Sequence, residues 1–154
     1  MTIEDDIAFL ERIPFLRRLG APALRILAIG TESYRVEAGQ VLFAAGEPAD
    51  GAYIVQQGSF NLRPQVGAEA DLVAGPGTLL GEAALLAETQ RPATATAREA
   101  STVLRVPRAM FLKMLEGYPD AAQRLREVIA ARADEWARDM ENVRAALTGG
   151  TGRK

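Results

Sequence analysis

The chain has 154 residues, 48% of them hydrophobic and 25% charged, which is ordinary for one globular domain large enough to bury a core. It contains no cysteine and no histidine, which excludes disulfides, thiol nucleophiles and histidine-based metal, haem or general-base chemistry. Eighteen basic residues face twenty acidic ones for a net charge of −2, and the basic residues are spread along the chain, which argues against a nucleic-acid footprint.

The N-terminal stretch reads as helical. Ile7, Leu10 and Glu11 share one pattern, Pro14 interrupts it, and a second short helix is expected from about Pro22 to Ile29. The acidic start (Glu4, Asp5, Asp6) lacks the basic opening of a signal peptide, and no apolar run approaches the roughly 20 residues of a bilayer span. A cytoplasmic location and no membrane partner are the expectation.

From Ser33 to about Val106 short apolar runs recur: 34–36, 41–43, 52–55, 60–62, 70–74, 94–97 and 102–106. Glycines 39, 46, 51, 58, 67, 75 and 77 punctuate them. Many short strands at regular spacing predict a sandwich or roll, with Tyr53, Ile54 and Val55 in its core and Gly46, Gly51 and Gly58 at its turns.

Residues 81–95 carry the chemistry. Glu82 and Arg91 stand nine residues apart, between Gly81 and a run of small residues. A carboxylate accepts hydrogen bonds from sugar hydroxyls, a guanidinium forks onto phosphate, and small residues let backbone N–H groups approach an anion. A short helix is expected from Glu82 to about Leu86. The alternative for such a spacing is a plain salt bridge, and Glu88 with its neighbours is expected to be solvated.

These residues resemble the phosphate-binding cassette of cyclic-nucleotide-binding domains, as found in the catabolite activator protein and in protein kinase A regulatory subunits. The parts that carry the resemblance are Gly81-Glu82-Ala83-Ala84-Leu85, then Arg91-Pro92-Ala93-Thr94, and upstream the turn-strand-turn stretch from Gly46 to Gly58. The resemblance implies a mainly β fold with flanking helices (α+β): a double-stranded β-helix, or jelly-roll-like β-roll, of about eight strands, with N-terminal helices and a long C-terminal helix. Residues 1–118 would form the roll with its helices and the cassette at 81–95, residues 119–147 a C-terminal lid or dimerisation helix, and 148–154 a disordered tail. It further implies that Glu82 accepts from the ribose 2′-hydroxyl and that Arg91 pairs with the cyclic phosphate. Gly81 would make the turn, the N–H groups of Ala83 and Ala93 would donate to phosphate, and Leu85 and Leu86 would act as an apolar hinge.

Pro92 departs from the family pattern. It lacks both the N–H and the hydroxyl that this position supplies, and one missing hydrogen bond, about 1 kcal/mol or somewhat more to a charged acceptor, lowers affinity about tenfold. The absent hydroxyl tilts the expected ligand toward cAMP over cGMP. No metal, no cofactor and no catalytic residue is expected, so the chain is not read as an enzyme.

After Arg108 helical character resumes, breaks at Gly117-Tyr118-Pro119, and returns in a long helix from about Asp120 to Leu147. Ile129, Trp136 and Val143 form one register line and Ala133, Met140 and Leu147 another, alternating by four and three residues as in a two-stranded coil. Asp139 and Arg144 would flank that seam. A homodimer through this helix is expected, with Trp136 as a seam residue or a lid over the base; the alternative is a stripe packed on its own chain. No helix-turn-helix pattern follows, so the expected function is a stand-alone cyclic nucleotide receptor, acting on an unknown effector protein by moving its cassette and C-terminal helix. The competing reading is a non-binding dimerisation or docking module with a degenerate site.

Overall fold

A computed structural model describes residues 2–64 and 71–152, without the side chains of 132–137, 139–140, 143–144 and 146–152. Three helices open the chain: α1 (Ile3–Glu11), α2 (Pro14–Arg17) and α3 (Ala21–Gly30). Ten strands follow among the described residues: β1 (Glu32–Val36), β2 (Val41–Phe43), β3 (Pro48–Ala49), β4 (Gly51–Gln57), β5 (Phe60–Pro64), β6 (Leu72–Ala74), β7 (Leu79–Leu80), β8 (Thr89–Gln90), β9 (Ala93–Ala97) and β10 (Ser101–Pro107). A 3-10 turn over Glu82–Leu85 separates β7 from β8, and α4 (Arg108–Gly117) and α5 (Pro119–Gly152) close the chain.

The strands form two four-stranded antiparallel sheets, in the orders β1-β10-β4-β7 and β2-β9-β5-β6, and a small β3-β8 pair. This is the jelly-roll-like β-roll with flanking helices that the sequence predicts. The three strands that match none of the seven apolar runs, β3, β7 and β8, have two residues each. Such pairings carry no alternation that a sequence pattern can register.

Period-two alternation sorts the first sheet between two cores. Ala52 and Ile54 of β4, with Leu104 and Val106 of β10, face a helical layer containing Leu10, Leu16, Leu24, Leu27, Phe111 and Leu125. Val55 and Val103 face the roll interior with Val36, Phe43, Phe60, Leu80 and Ala95. Ile54 and Val55 are fully buried as expected, whereas Tyr53 is half-buried and lines the roll interior against Phe43. Gly51 starts β4 and is not a turn residue: a Cβ there would collide with the Val106 carbonyl of the neighbouring strand.

Local signals account for the helix starts. Thr2 and Asp5 form a reciprocal capping box on α1, and α2 and α3 have proline in the first turn. α5 differs from expectation at its end. It runs through Gly149 and Gly150 to Gly152, five residues past the predicted stop at Leu147, so residues 148–152 are helical and not a disordered tail. Glycine disfavours a helix by about 1 kcal/mol per residue but keeps its N–H, so without a proline the ladder continues. Among the described residues no helix is long and apolar enough to cross a membrane.

Candidate functional site

Arg91 is the organising side chain. Its backbone is held on both sides by the turn after β2: Arg91 N–H donates to the Glu47 carbonyl and Gly46 N–H donates to the Arg91 carbonyl, each at 2.8 Å. These bonds continue the β3-β8 pairing, in which Pro48 faces Gln90 and Ala49 faces Thr89. Three residues on, Thr94 Oγ1 accepts from Ala45 N–H at 2.9 Å and fastens the same turn. The Gly46-Glu47 segment therefore fixes the backbone from which Arg91 projects.

The side chain is only 4% exposed. Its guanidinium carbon lies 4.5 Å from the centre of the Phe43 ring and 5.5 Å from that of Tyr53, and those two rings stack on each other at 5.9 Å. Nη1 is buried and has no hydrogen-bond partner among the described residues. Desolvation lowers the pKa of Arg91 from its ordinary value, and Tyr53, Asp50 and Glu47 oppose that shift. The group remains cationic, because a guanidinium does not lose its proton inside a protein.

Gly81 makes this position accessible. It sits at φ +81°, ψ +39°, in the left-handed region, and a Cβ there would run into Arg91 Nη1. Glycine meets both demands at once. The 3-10 turn that follows buries Ala84 and Leu85 completely, while Ala83 is exposed and Glu82 half-buried. Its first N–H groups have no partner within the turn, as at any helix start. Leu85 belongs to the helical core, and Leu86 packs against it.

A cavity of 370 Å³ is lined by Gly81, Glu82, Ala83, Ala84, Arg91 and Pro92, together with Ala49, Thr89 and Gln90 of the β3-β8 pair. Five of the six predicted ligand-site residues thus share one hollow. Ala93 opens β9 opposite Pro64 and is not part of its wall. The predicted helix at Glu82 exists as a 3-10 turn ending at Leu85. Glu88 is exposed. Sequence reasoning missed Phe43 and Tyr53 as walls of the Arg91 site. They sit in unremarkable strand runs, and only the fold brings them under a guanidinium.

The Trp136 side chain lies outside the described residues, as do those of Ala133, Asp139, Met140, Val143, Arg144 and Leu147. Of the predicted seam only Ile129 is described, and it packs against the helical core of its own chain. Among the described residues no group of metal-ligating side chains is present.

A buried cation, a glycine turn and the start of a 3-10 helix thus line one small cavity at the edge of a β-roll. A family profile for the cyclic nucleotide-binding domain matches residues 34–118. The chain belongs to that family. It is similar to an uncharacterized NTE family protein of Mycobacterium tuberculosis, 34% identical over 111 residues; the match covers 71% of this chain but 19% of that relative. Among solved structures, a cyclic nucleotide-binding-like protein from Brucella abortus aligns with 37% identity and a TM-score of 0.64, covering 73% of this chain and 98% of that one. The N-terminal domain of a transcriptional regulator from Streptomyces coelicolor aligns at 28% identity and a TM-score of 0.77, covering 86% and 94%. The chain spans about a fifth of the length of its mycobacterial relative, so that relative's overall role lies outside what the match covers.

Proposed function

We propose that this chain is a cyclic nucleotide receptor that prefers cAMP to cGMP. The observation that carries the proposal is Arg91: buried and cationic, its Nη1 without a hydrogen-bond partner among the described residues, and its side chain lining a cavity shared with Gly81, Glu82 and Ala83. In this reading Arg91 takes the cyclic phosphate, Glu82 the ribose hydroxyl, and the N–H group of Ala83 a further phosphate oxygen, while Ala93, off the cavity wall, is left out. Leu85 and Leu86, packed into the helical core, form the hinge through which the cassette shifts α4 and α5. Signal output then passes through α5 to an effector protein, with a homodimer formed along its later turns. Nothing in this scheme makes or breaks a covalent bond.

Isothermal calorimetry with cAMP and cGMP, on protein freed of co-purified nucleotide, tests the reading. Heat with cAMP that is lost in Arg91→Ala is the expected result. No heat at millimolar ligand would end it.

Two observations favour a second reading, a docking module whose site no longer binds. Pro92 stands on the cavity wall without an N–H to offer. Phe43 and Tyr53 also give Arg91 a partner that needs no anion. Mass spectrometry of the small molecules released when freshly purified protein is denatured separates the two: a bound cyclic nucleotide excludes the docking module.

A further inference from the structure

We propose that Arg108 is the positioning residue that makes the cassette and the C-terminal helices open and close as one unit. Its Nη1 donates to three carbonyls on two separate segments: Ala49 of β3 at 2.9 Å, and Ala84 and Ala87 of the cassette at 3.1 and 3.0 Å. Its own backbone N–H donates to the Asp50 carbonyl at 2.7 Å. One residue thus ties the first turn of α4 to the β3–β4 connection and to both ends of the segment that closes the 3-10 turn.

Arg108 is a poor choice for α4 taken alone. It is the first residue of that helix, where the macrodipole disfavours a cation, and the N-cap is Pro107, which makes no side-chain cap. The guanidinium is spent on other elements. Two of the carbonyls it donates to, those of Ala84 and Ala87, lie where a short helix ends and has no onward donors of its own. Apolar packing of Leu85 in the cluster with Phe111 and Met114 holds the two elements together but allows sliding. Hydrogen bonds from one nitrogen of a planar guanidinium set their register. Any displacement of Ala84 and Ala87 must then carry the start of α4 with it or break those bonds. Lysine can offer three N–H donors from one nitrogen, but its flexible stem does not hold them in a fixed orientation, so the register is loosened.

The ligand-driven half of this inference rests on the nucleotide reading above; the mechanical half does not. Hydrogen–deuterium exchange on the full chain tests both, comparing wild type, Arg108→Ala and Arg108→Lys, with Arg35→Ala as a control for loss of an exposed arginine. Without ligand, amides of 84–88 and of 108–115 exchange faster together in both Arg108 variants, by about three- to tenfold for loss of one to two net hydrogen bonds. The control leaves them unchanged. With cAMP, wild type changes in both the cassette and α4–α5, whereas the Arg108 variants confine the change to the cassette. If ligand-free exchange in the cassette is unaltered in both Arg108 variants, or if the cAMP response reaches α5 undiminished in them, the inference is overturned. A blank calorimetry trace with wild type would remove the nucleotide reading instead, and the ligand-free comparison would still decide the role of Arg108. Arg108→Lys carries the test if Arg108→Ala does not fold.

Discussion

Gly81→Ala separates two costs that usually come together. Gly81 and Gly39 have nearly the same backbone, φ +81° and φ +84°. A Cβ at Gly39 meets nothing within 4 Å, while one at Gly81 collides with Arg91 Nη1. Alanine in the left-handed region costs about 1–2 kcal/mol, so Gly39→Ala is expected to lose that much and no more. Gly81→Ala bears the same backbone cost and must also displace a buried guanidinium from its place over Phe43 and Tyr53. Forcing an added atom into a packed site costs about 1–3 kcal/mol in strain and displaced neighbours, so the second variant falls further by about 1–2 kcal/mol. For a domain of this size that gap is about 2–8 °C in Tm, readable by calorimetric or circular-dichroism melts run side by side. Affinity for cAMP is expected to drop in Gly81→Ala and to stay at the wild-type level in Gly39→Ala. Equal losses of stability, with cAMP binding intact in both, would refute the placement of Arg91 against Gly81.

Three further outcomes are expected. Pro92→Ser restores an N–H and a hydroxyl on the cavity wall, so cAMP binding tightens about tenfold for one regained hydrogen bond and discrimination against cGMP narrows, as measured by calorimetry with both nucleotides. Thr94→Val removes the acceptor of Ala45 N–H, costs about 1 kcal/mol by denaturant titration, and weakens nucleotide binding, because the same turn holds the Arg91 backbone. The backbone and side-chain bonds from Thr2 hold the Asp5 carboxyl below the usual aspartate range. A depressed carboxyl stabilises the fold above its unfolded pKa and loses that contribution as pH falls through its folded value. The capping-box share of α1 stability should therefore be intact at neutral pH and fade below about pH 4, followed by amide exchange at Asp5 and Asp6 in wild type against Thr2→Ala.

What the sequence discloses depends on how local the signal is. Gly81, Glu82, Ala83, Arg91 and Pro92 are legible because a turn, two charges and small side chains fall within one short stretch. The strands at 41–43 and 102–106 are legible because they are apolar, β-branched or aromatic and bounded by turns. Two-residue strands such as β3 and β8 have no such signature, yet they supply the wall of the cavity and the bonds that seat Arg91. Phe43 and Tyr53 are ten residues apart in sequence and separated by the β3 turn, so their stacking under Arg91 is a product of sheet packing alone. The stop at Leu147 fails for a related reason: consecutive glycines weaken a helix without terminating it, and no proline follows.

The Arg91 environment also bears on why the site keeps a cation at all. Burying an unpaired charge costs several kcal/mol even after the protein relaxes. The faces of Phe43 and Tyr53 return at most about 2 kcal/mol of that. Asp50 and Glu47 favour the charged form from a distance, but the net shift of Arg91 remains downward, with desolvation the largest cause. The rings therefore hold the guanidinium in position without neutralising it, beside a hollow that Arg91 lines together with Gly81 and Ala83. An anion entering that hollow meets a cation already held in place against the two rings. A leucine in place of Arg91 would relieve the deficit for a domain that only docks, and would raise stability in a protein with no ligand to receive. If Arg91→Leu stabilises the free protein while removing cAMP binding, the arginine is retained at the expense of the fold for the sake of an anionic ligand; if it destabilises the free protein, the aromatic contacts alone account for its presence.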